Sequence, residues 1–81
     1  RFAYQALLYQ LTAKQKQLLI AIAQEGKPSS LMSQEFLQKY HLGASTVQGA
    51  VKTLLDRDFI TQDEGVYQLC DKFLELSLRA G

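Results

Sequence analysis

The apolar residues of this 81-residue chain change from helical to strand spacing after residue 58, and the place of that change constrains the fold more than any other feature. Up to residue 58 they recur every three or four positions, as in amphipathic helices. From residue 59 to residue 70 a strand pattern replaces the helical one, and Asp63, Glu64 and Gly65 interrupt it in the middle. Since glycine accepts the positive φ of a tight turn, this segment is predicted to be a β-hairpin that directly follows a helix.

Two helices are predicted before residue 26. The first lies within residues 1–10, whose apolar stripe consists of Phe2, Ala3, Ala6, Leu7 and Leu8. Thr12 is typical of a helix N-cap and Gly26 of a left-handed C-terminal stop, so the second helix is predicted over residues 13–25. Its repeating positions are Gln15, Leu18, Leu19, Ile22 and Ala23.

A helix, a short turn and another helix are predicted between residues 33 and 57. Ser33 is the N-cap candidate of the first, which is expected to end near His41. Its shared face consists of Phe36, Leu37 and Tyr40. Residues 31 and 32 are predicted as a very short extended segment before it. Residues 42–44 are predicted as the turn, because Gly43 tolerates the backbone angles of a sharp reversal.

The helix over residues 44–57 has one apolar face and one polar face. The face predicted to be buried carries Val47, Ala50, Val51, Leu54 and Leu55. In the hairpin that follows, Val66, Gln68 and Cys70 share one face of the returning strand, and Tyr67 and Leu69 share the other. Asp71 is then expected to cap a last helix that carries Phe73, Leu74, Leu76 and Leu78.

The order helix, helix, three-residue turn, helix and hairpin is that of a winged helix-turn-helix. The predicted fold is therefore mainly α with a small β-hairpin, an α+β class with a three-helix core, a wing and a C-terminal helix. A chain of 81 residues has room for one such domain, which we place at residues 12–81. Residues 1–11 are predicted to be the end of a helix that leads in from a preceding domain.

Many short motifs of this sequence resemble the C-terminal winged-helix domain of archaeal-type AAA+ ATPases. The resemblance covers about residues 12–79, and it includes residues 11–15, 19–23, 25–26, 33–36, 45–48, 50, 54–55, 60, 65–67, 71, 73–74 and 78–79. It implies a parent protein with an N-terminal P-loop ATPase domain. Packing of this domain on the ATPase domain as a regulatory module is a separate hypothesis. The chain opens on Arg1 in the middle of a helical pattern, and we expect it to be a piece of such a parent.

Catalysis by the 81 residues themselves is not expected. The sequence contains no Gly-x-x-x-x-Gly-Lys-Ser/Thr motif, so ATPase activity would belong to the parent. Its single histidine, His41, and single cysteine, Cys70, are too few for a catalytic triad, a disulfide or a zinc site. Asp56, Asp58, Asp63 and Glu64 do not have the spacing of a calcium loop. No cofactor and no membrane partner are expected, and the domain is predicted to be cytoplasmic.

Recognition of DNA by the helix over residues 44–57 is one of two functional hypotheses. The candidate contact residues on its polar face are Ser45, Thr46, Gln48, Gly49, Lys52 and Thr53. Gln48 has the donor and acceptor to read adenine, Ser45 and Thr46 can donate to phosphates, and Lys52 can meet phosphate or guanine. The whole chain has a net charge of only +1, and two cations against four acids give −2 over residues 44–70. Binding is therefore expected to be weak.

Contact with another protein surface is the second hypothesis. The expected partner is the ATPase domain of the same polypeptide, a separate protein or a second copy of the chain. The aromatic residues considered as anchors are Tyr4, Tyr9, Phe59 and Tyr67, and core packing is the alternative role for Phe59 and Tyr67. An apolar patch on the folded surface would favour this hypothesis.

Overall fold

A computed structural model describes residues 2–80, with side chains from Gln5 onward. It contains five helices and one hairpin within that range. In chain order they are α1 (Phe2–Leu8), α2 (Ala13–Glu25), α3 (Gln34–Lys39), α4 (Ala44–Asp56), β1 (Ile60–Asp63), β2 (Val66–Leu69) and α5 (Lys72–Ala80). The predicted winged helix-turn-helix order is confirmed.

Helix α2 is the centre of the core and has the predicted bounds. The Thr12 hydroxyl accepts the Gln15 backbone N–H at 3.1 Å, and the Gln15 side chain accepts the Thr12 N–H at 2.9 Å. Gln15 thus completes a capping box and is not part of the apolar face. Leu18, Leu19 and Ile22 are fully buried, and the helix packs against α4, α5 and β2. Gly26 has the predicted positive φ of 86°, although its ψ of −75° lies outside the left-handed helical region.

The turn between α3 and α4 differs from the prediction. Helix α3 ends at Lys39, two residues before the predicted end. His41, with φ 56°, is the residue that reverses the chain. Gly43 has φ −93° and is the N-cap of α4, where it makes no side-chain hydrogen bond. The reversal therefore needs no glycine at position 43, because a histidine tolerates an isolated left-handed conformation.

The wing is a two-stranded antiparallel hairpin in which Asp63 is paired with Val66. Glu64 (φ 53°) and Gly65 (φ 78°) form the two-residue turn, and both have the positive φ typical of tight hairpins. The outer edge of β2 meets the loop after α2, where the Tyr67 N–H donates to the Pro28 carbonyl at 2.9 Å. Residues 31 and 32 are not extended, so the predicted short extended segment is wrong. The backbone that bonds to the outer edge of β2 is that of Pro28.

The first and last helices differ in how far their predictions can be compared with the structure. In the α1 segment, Leu8 packs on the core, while Ala6 and Leu7 are exposed. The predictions for Phe2 and Ala3 fall outside the described side chains.

Asp71 caps α5 as predicted, since its carboxylate accepts the Phe73 N–H at 2.8 Å and the Leu74 N–H at 3.1 Å.

Candidate interaction surfaces

The outer face of α4 is open to solvent. Of the six predicted contact residues, four are exposed, namely Ser45, Gln48, Gly49 and Lys52, while Thr46 and Thr53 are half-buried. They lie on this face because Val47, Ala50 and Leu54 turn the opposite side of the helix into the core. The structure thus brings the predicted residues together on one accessible helix face.

The charges near this face do not favour a polyanion. The Lys52 ammonium lies 3.2 Å from the Asp56 carboxylate, one turn further along α4. Asp63 and Glu64 are exposed at the tip of the wing, and neither takes part in an ion pair of the described residues. A DNA backbone that approached both α4 and the wing would meet a lysine with a carboxylate beside it and two further carboxylates.

A groove of about 420 Å³ separates α4 from the wing. Its apolar surface comes from Leu31, Met32, Val47, Val51 and Tyr67. Neutral polar residues complete its lining, namely Ser29, Ser30, Gln48, Gln62 and Gly65. The hydrogen bond between Tyr67 and Pro28 ties the wing to the loop that carries Ser29 and Ser30.

An apolar stripe covers the outer face of α5. Phe73 is 75% exposed and Leu76, one turn later, is 61% exposed. Ala80 is exposed on the same side. On the inner side of the helix, Leu74 is buried and Leu78 packs on the core. Two large apolar side chains that lie together on a surface helix are typical of an interaction site.

Sequence reasoning missed this stripe, because it placed the four apolar residues along the last helix without dividing them between its two faces. At about 100° per residue, Phe73 and Leu76 lie within about 60° of each other on the helix. Leu74 and Leu78 lie about 40° apart on the other side. A helical wheel of residues 72–80 therefore predicts two separate apolar faces on this helix.

The predicted aromatic anchors fall into different environments. Phe59 is 7% exposed and belongs to the core, and Tyr67 is half-buried against it. Tyr9 is 85% exposed just after α1. The side chain of Tyr4 lies outside the described part of the chain. Core packing therefore accounts for Phe59 and largely for Tyr67.

A polar contact joins the C-terminal ends of α2 and α3. The Glu25 carboxylate accepts the Tyr40 hydroxyl at 2.6 Å and the Lys39 ammonium at 2.9 Å. The hydrogen bond from Tyr40, followed by that from Lys39, holds the pKa of Glu25 below its ordinary value. Burial, reinforced by the hydrogen bond with Glu25, raises the pKa of Tyr40. The contact stabilises the position of α3 rather than forming a reactive centre.

The remaining titratable candidates are dispersed. His41 is exposed in the turn after α3. Cys70 is largely exposed as a residue, yet partial burial of its thiol, with the Asp58 carboxylate as a smaller cause, raises its pKa. Within residues 2–80 the structure shows no group of histidine, cysteine or carboxylate side chains able to hold a metal ion.

Across the described residues, every helix is too short or too polar to cross a membrane.

Comparison with known proteins agrees with the architecture. Neither the curated proteins nor the solved structures gave a match. A family profile described as a probable winged helix domain matches residues 2–80, nearly the whole chain. Such domains are in general non-catalytic. The helix-turn-helix, the wing and this match together show that the chain belongs to the family of probable winged helix domains.

Proposed function

We propose that the chain is a non-catalytic interaction module, the C-terminal winged-helix domain of an AAA+ ATPase, and that it packs on the ATPase domain of its own polypeptide through α5. The resemblance of residues 12–79 to that class supports the parent, with residues 1–11 as the end of the connecting helix. The observation that carries the proposal is the apolar stripe of Phe73, Leu76 and Ala80.

Burial of this stripe is energetically worthwhile. A phenylalanine side chain offers about 200 Å², so the 75% of Phe73 that is exposed corresponds to about 150 Å². At about 25 cal/mol per Å², covering that area contributes about 4 kcal/mol before the costs of association. Leu76 adds to it on the same face. Within one polypeptide the association cost is reduced, because the two surfaces are tethered.

ATP turnover of the protein produced from the complete reading frame tests the proposal. The first expectation is that this reading frame encodes a P-loop before residue 1. The second is that Phe73→Ser and Leu76→Ser change the rate of ATP hydrolysis, since they weaken the interface without removing a buried side chain. Met32→Ser is the matched control, because Met32 is also exposed and apolar, at 42%, but does not belong to α5.

A reading frame without a P-loop would refute the AAA+ parent. If the P-loop is present and both α5 variants hydrolyse ATP at the rate of the unsubstituted protein, the packing through α5 is wrong. An equal effect of Met32→Ser would show that the change in ATP hydrolysis is not specific to the α5 interface.

DNA binding is the second candidate, and the open outer face of α4 favours it. Ser45, Gln48 and Lys52 are accessible there, and Gly49 places no side chain in the way. Titration of a labelled mixed-sequence duplex at low salt tests this candidate, with Lys52→Glu as the variant. Lys14→Glu makes the same charge change at an exposed site on α2. Selective weakening by Lys52→Glu would support α4, whereas equal weakening by both variants or no binding would exclude it.

A further inference from the structure

The groove between α4 and the wing is a site distinct from the α5 stripe. We propose that it binds an extended peptide segment that carries one apolar side chain next to a lysine or arginine. The groove is lined by residues of the 29–32 loop, of α4, of both strands of the wing and by Gly65 of its turn. Its volume of about 420 Å³ lies within the range of ligand sites, about 300–1,000 Å³.

The floor of the groove selects an apolar side chain. Leu31 and Val47 are buried beneath it, and Val51 and Tyr67 are half-buried along it. Met32 is 42% exposed at its side, and its unbranched thioether can adjust to the shape of an entering group. The apolar surface is continuous enough for one side chain, while the space is too small for a whole helix or domain.

The neutral polar residues of the groove suit a peptide backbone. Gln48 and Gln62 each provide both a donor and an acceptor, and the Ser29 and Ser30 hydroxyls do the same on the loop side. All four residues are exposed. A peptide backbone offers one N–H and one carbonyl at most residues, so these groups can pair with it without any charge.

Charge complementarity decides which peptide fits. Tyr67 is the only residue with an ionisable side chain among the described groove-lining residues. Asp63 and Glu64 lie between Gln62 and Gly65, which line the groove, and both carboxylates are exposed. Lys27, in the loop before Pro28, and the Lys52–Asp56 pair beside Val51 bring the sum of these five charges to 2 − 3 = −1. A cationic neighbour of the apolar side chain is attracted there, and a phosphate backbone is repelled.

Selection of peptides from a random library on the 81-residue chain tests the proposal, followed by fluorescence anisotropy of the selected peptides. The selected sequences should combine an aliphatic or aromatic residue with a lysine or arginine. Met32→Gln and the pair Asp63→Asn with Glu64→Gln should each weaken binding roughly tenfold, as expected for an anchor residue and for its electrostatic partners.

Two matched controls separate this site from the others. Glu35→Gln removes an exposed carboxylate from α3, and Leu76→Gln removes an exposed apolar side chain from α5. Both should leave the affinity unchanged. Failure to select any sequence, enrichment of acidic peptides, or equal effects of the controls would overturn the proposal. Stronger binding of duplex DNA that Met32→Gln abolishes would assign the groove to nucleic acid instead. If only Leu76→Gln weakens peptide binding, the peptide binds at α5 and not in the groove, and this result too would overturn the proposal.

Discussion

Replacement of Gly49 by alanine should stabilise the domain. Gly49 lies in the interior of α4 on its exposed face, and a methyl group added there meets nothing within 4 Å. Glycine in a helix interior is less favourable than alanine by about 0.8–1.0 kcal/mol, mainly because it loses more backbone entropy on folding. We therefore expect the free energy of unfolding to rise by about 0.8 kcal/mol, and Tm by about 3–6 °C for a domain of this size.

Urea and thermal unfolding followed by circular dichroism measure this change, and Gly26→Ala is its matched control. The chemical substitution is identical, but Gly26 has φ 86° with ψ −75°, a backbone conformation in which an alanine is strained by about 1–3 kcal/mol. The control should therefore lower stability. A Gly49→Ala domain that is no more stable than the unsubstituted one would refute the reasoning, because the outer face of α4 would then have a constraint that the structure does not show.

The same variant separates the functional candidates. A methyl group at position 49 would stand between α4 and an approaching DNA backbone, so DNA binding through this face should weaken. Packing through α5 should be unaffected, because Phe73 and Leu76 lie on another element. The expected result for Gly49→Ala is therefore a more stable domain and, in the protein produced from the complete reading frame, an unchanged rate of ATP hydrolysis.

Three further predictions concern stability and reactivity. Thr12→Ala removes one half of the capping box and should cost about 1 kcal/mol in urea unfolding. Tyr40→Phe should cost about 1 kcal/mol at neutral pH by removing the hydroxyl that stabilises the Glu25 carboxylate. Folding lowers the pKa of Glu25 from its ordinary value of 4.5. The stabilisation is therefore fully present at pH values above 4.5, and it is lost as the pH falls through the lower pKa of the folded state. The urea unfolding curves of Tyr40→Phe and of the unsubstituted protein should converge in acid. Cys70, whose pKa is raised, should react with iodoacetamide at pH 8 more slowly than the cysteine of a short unstructured peptide.

The sequence was sufficient for the elements whose ends are marked by local chemistry. Thr12, Ser33 and Asp71 each cap the helix that they were expected to cap, because a side-chain oxygen next to an apolar repeat has few other uses. Gly65 likewise marked the wing turn. The turn at His41 was not predictable in this way, because a non-glycine residue in a left-handed conformation is determined by the packing of the helices on both sides of it.

The candidate surfaces were only partly predictable. The exposed residues of α4 followed directly from its two-sided pattern. The stripe on α5 was not predicted, because its four apolar residues were taken together without their angular positions, and Phe73 and Leu76 face away from Leu74. The groove depends on contacts between distant segments, above all that of Pro28 with Tyr67, and no local pattern indicates them.

The accessibility of Phe73 tests the proposed function most directly. Hydroxyl-radical footprinting would compare its oxidation in the 81-residue chain with that in the protein produced from the complete reading frame. If α5 packs on the ATPase domain, oxidation of Phe73 and Leu76 should slow severalfold in the longer protein, while that of Met32 stays unchanged. Equal oxidation of Phe73 in both proteins would contradict the proposal that α5 is the contact surface.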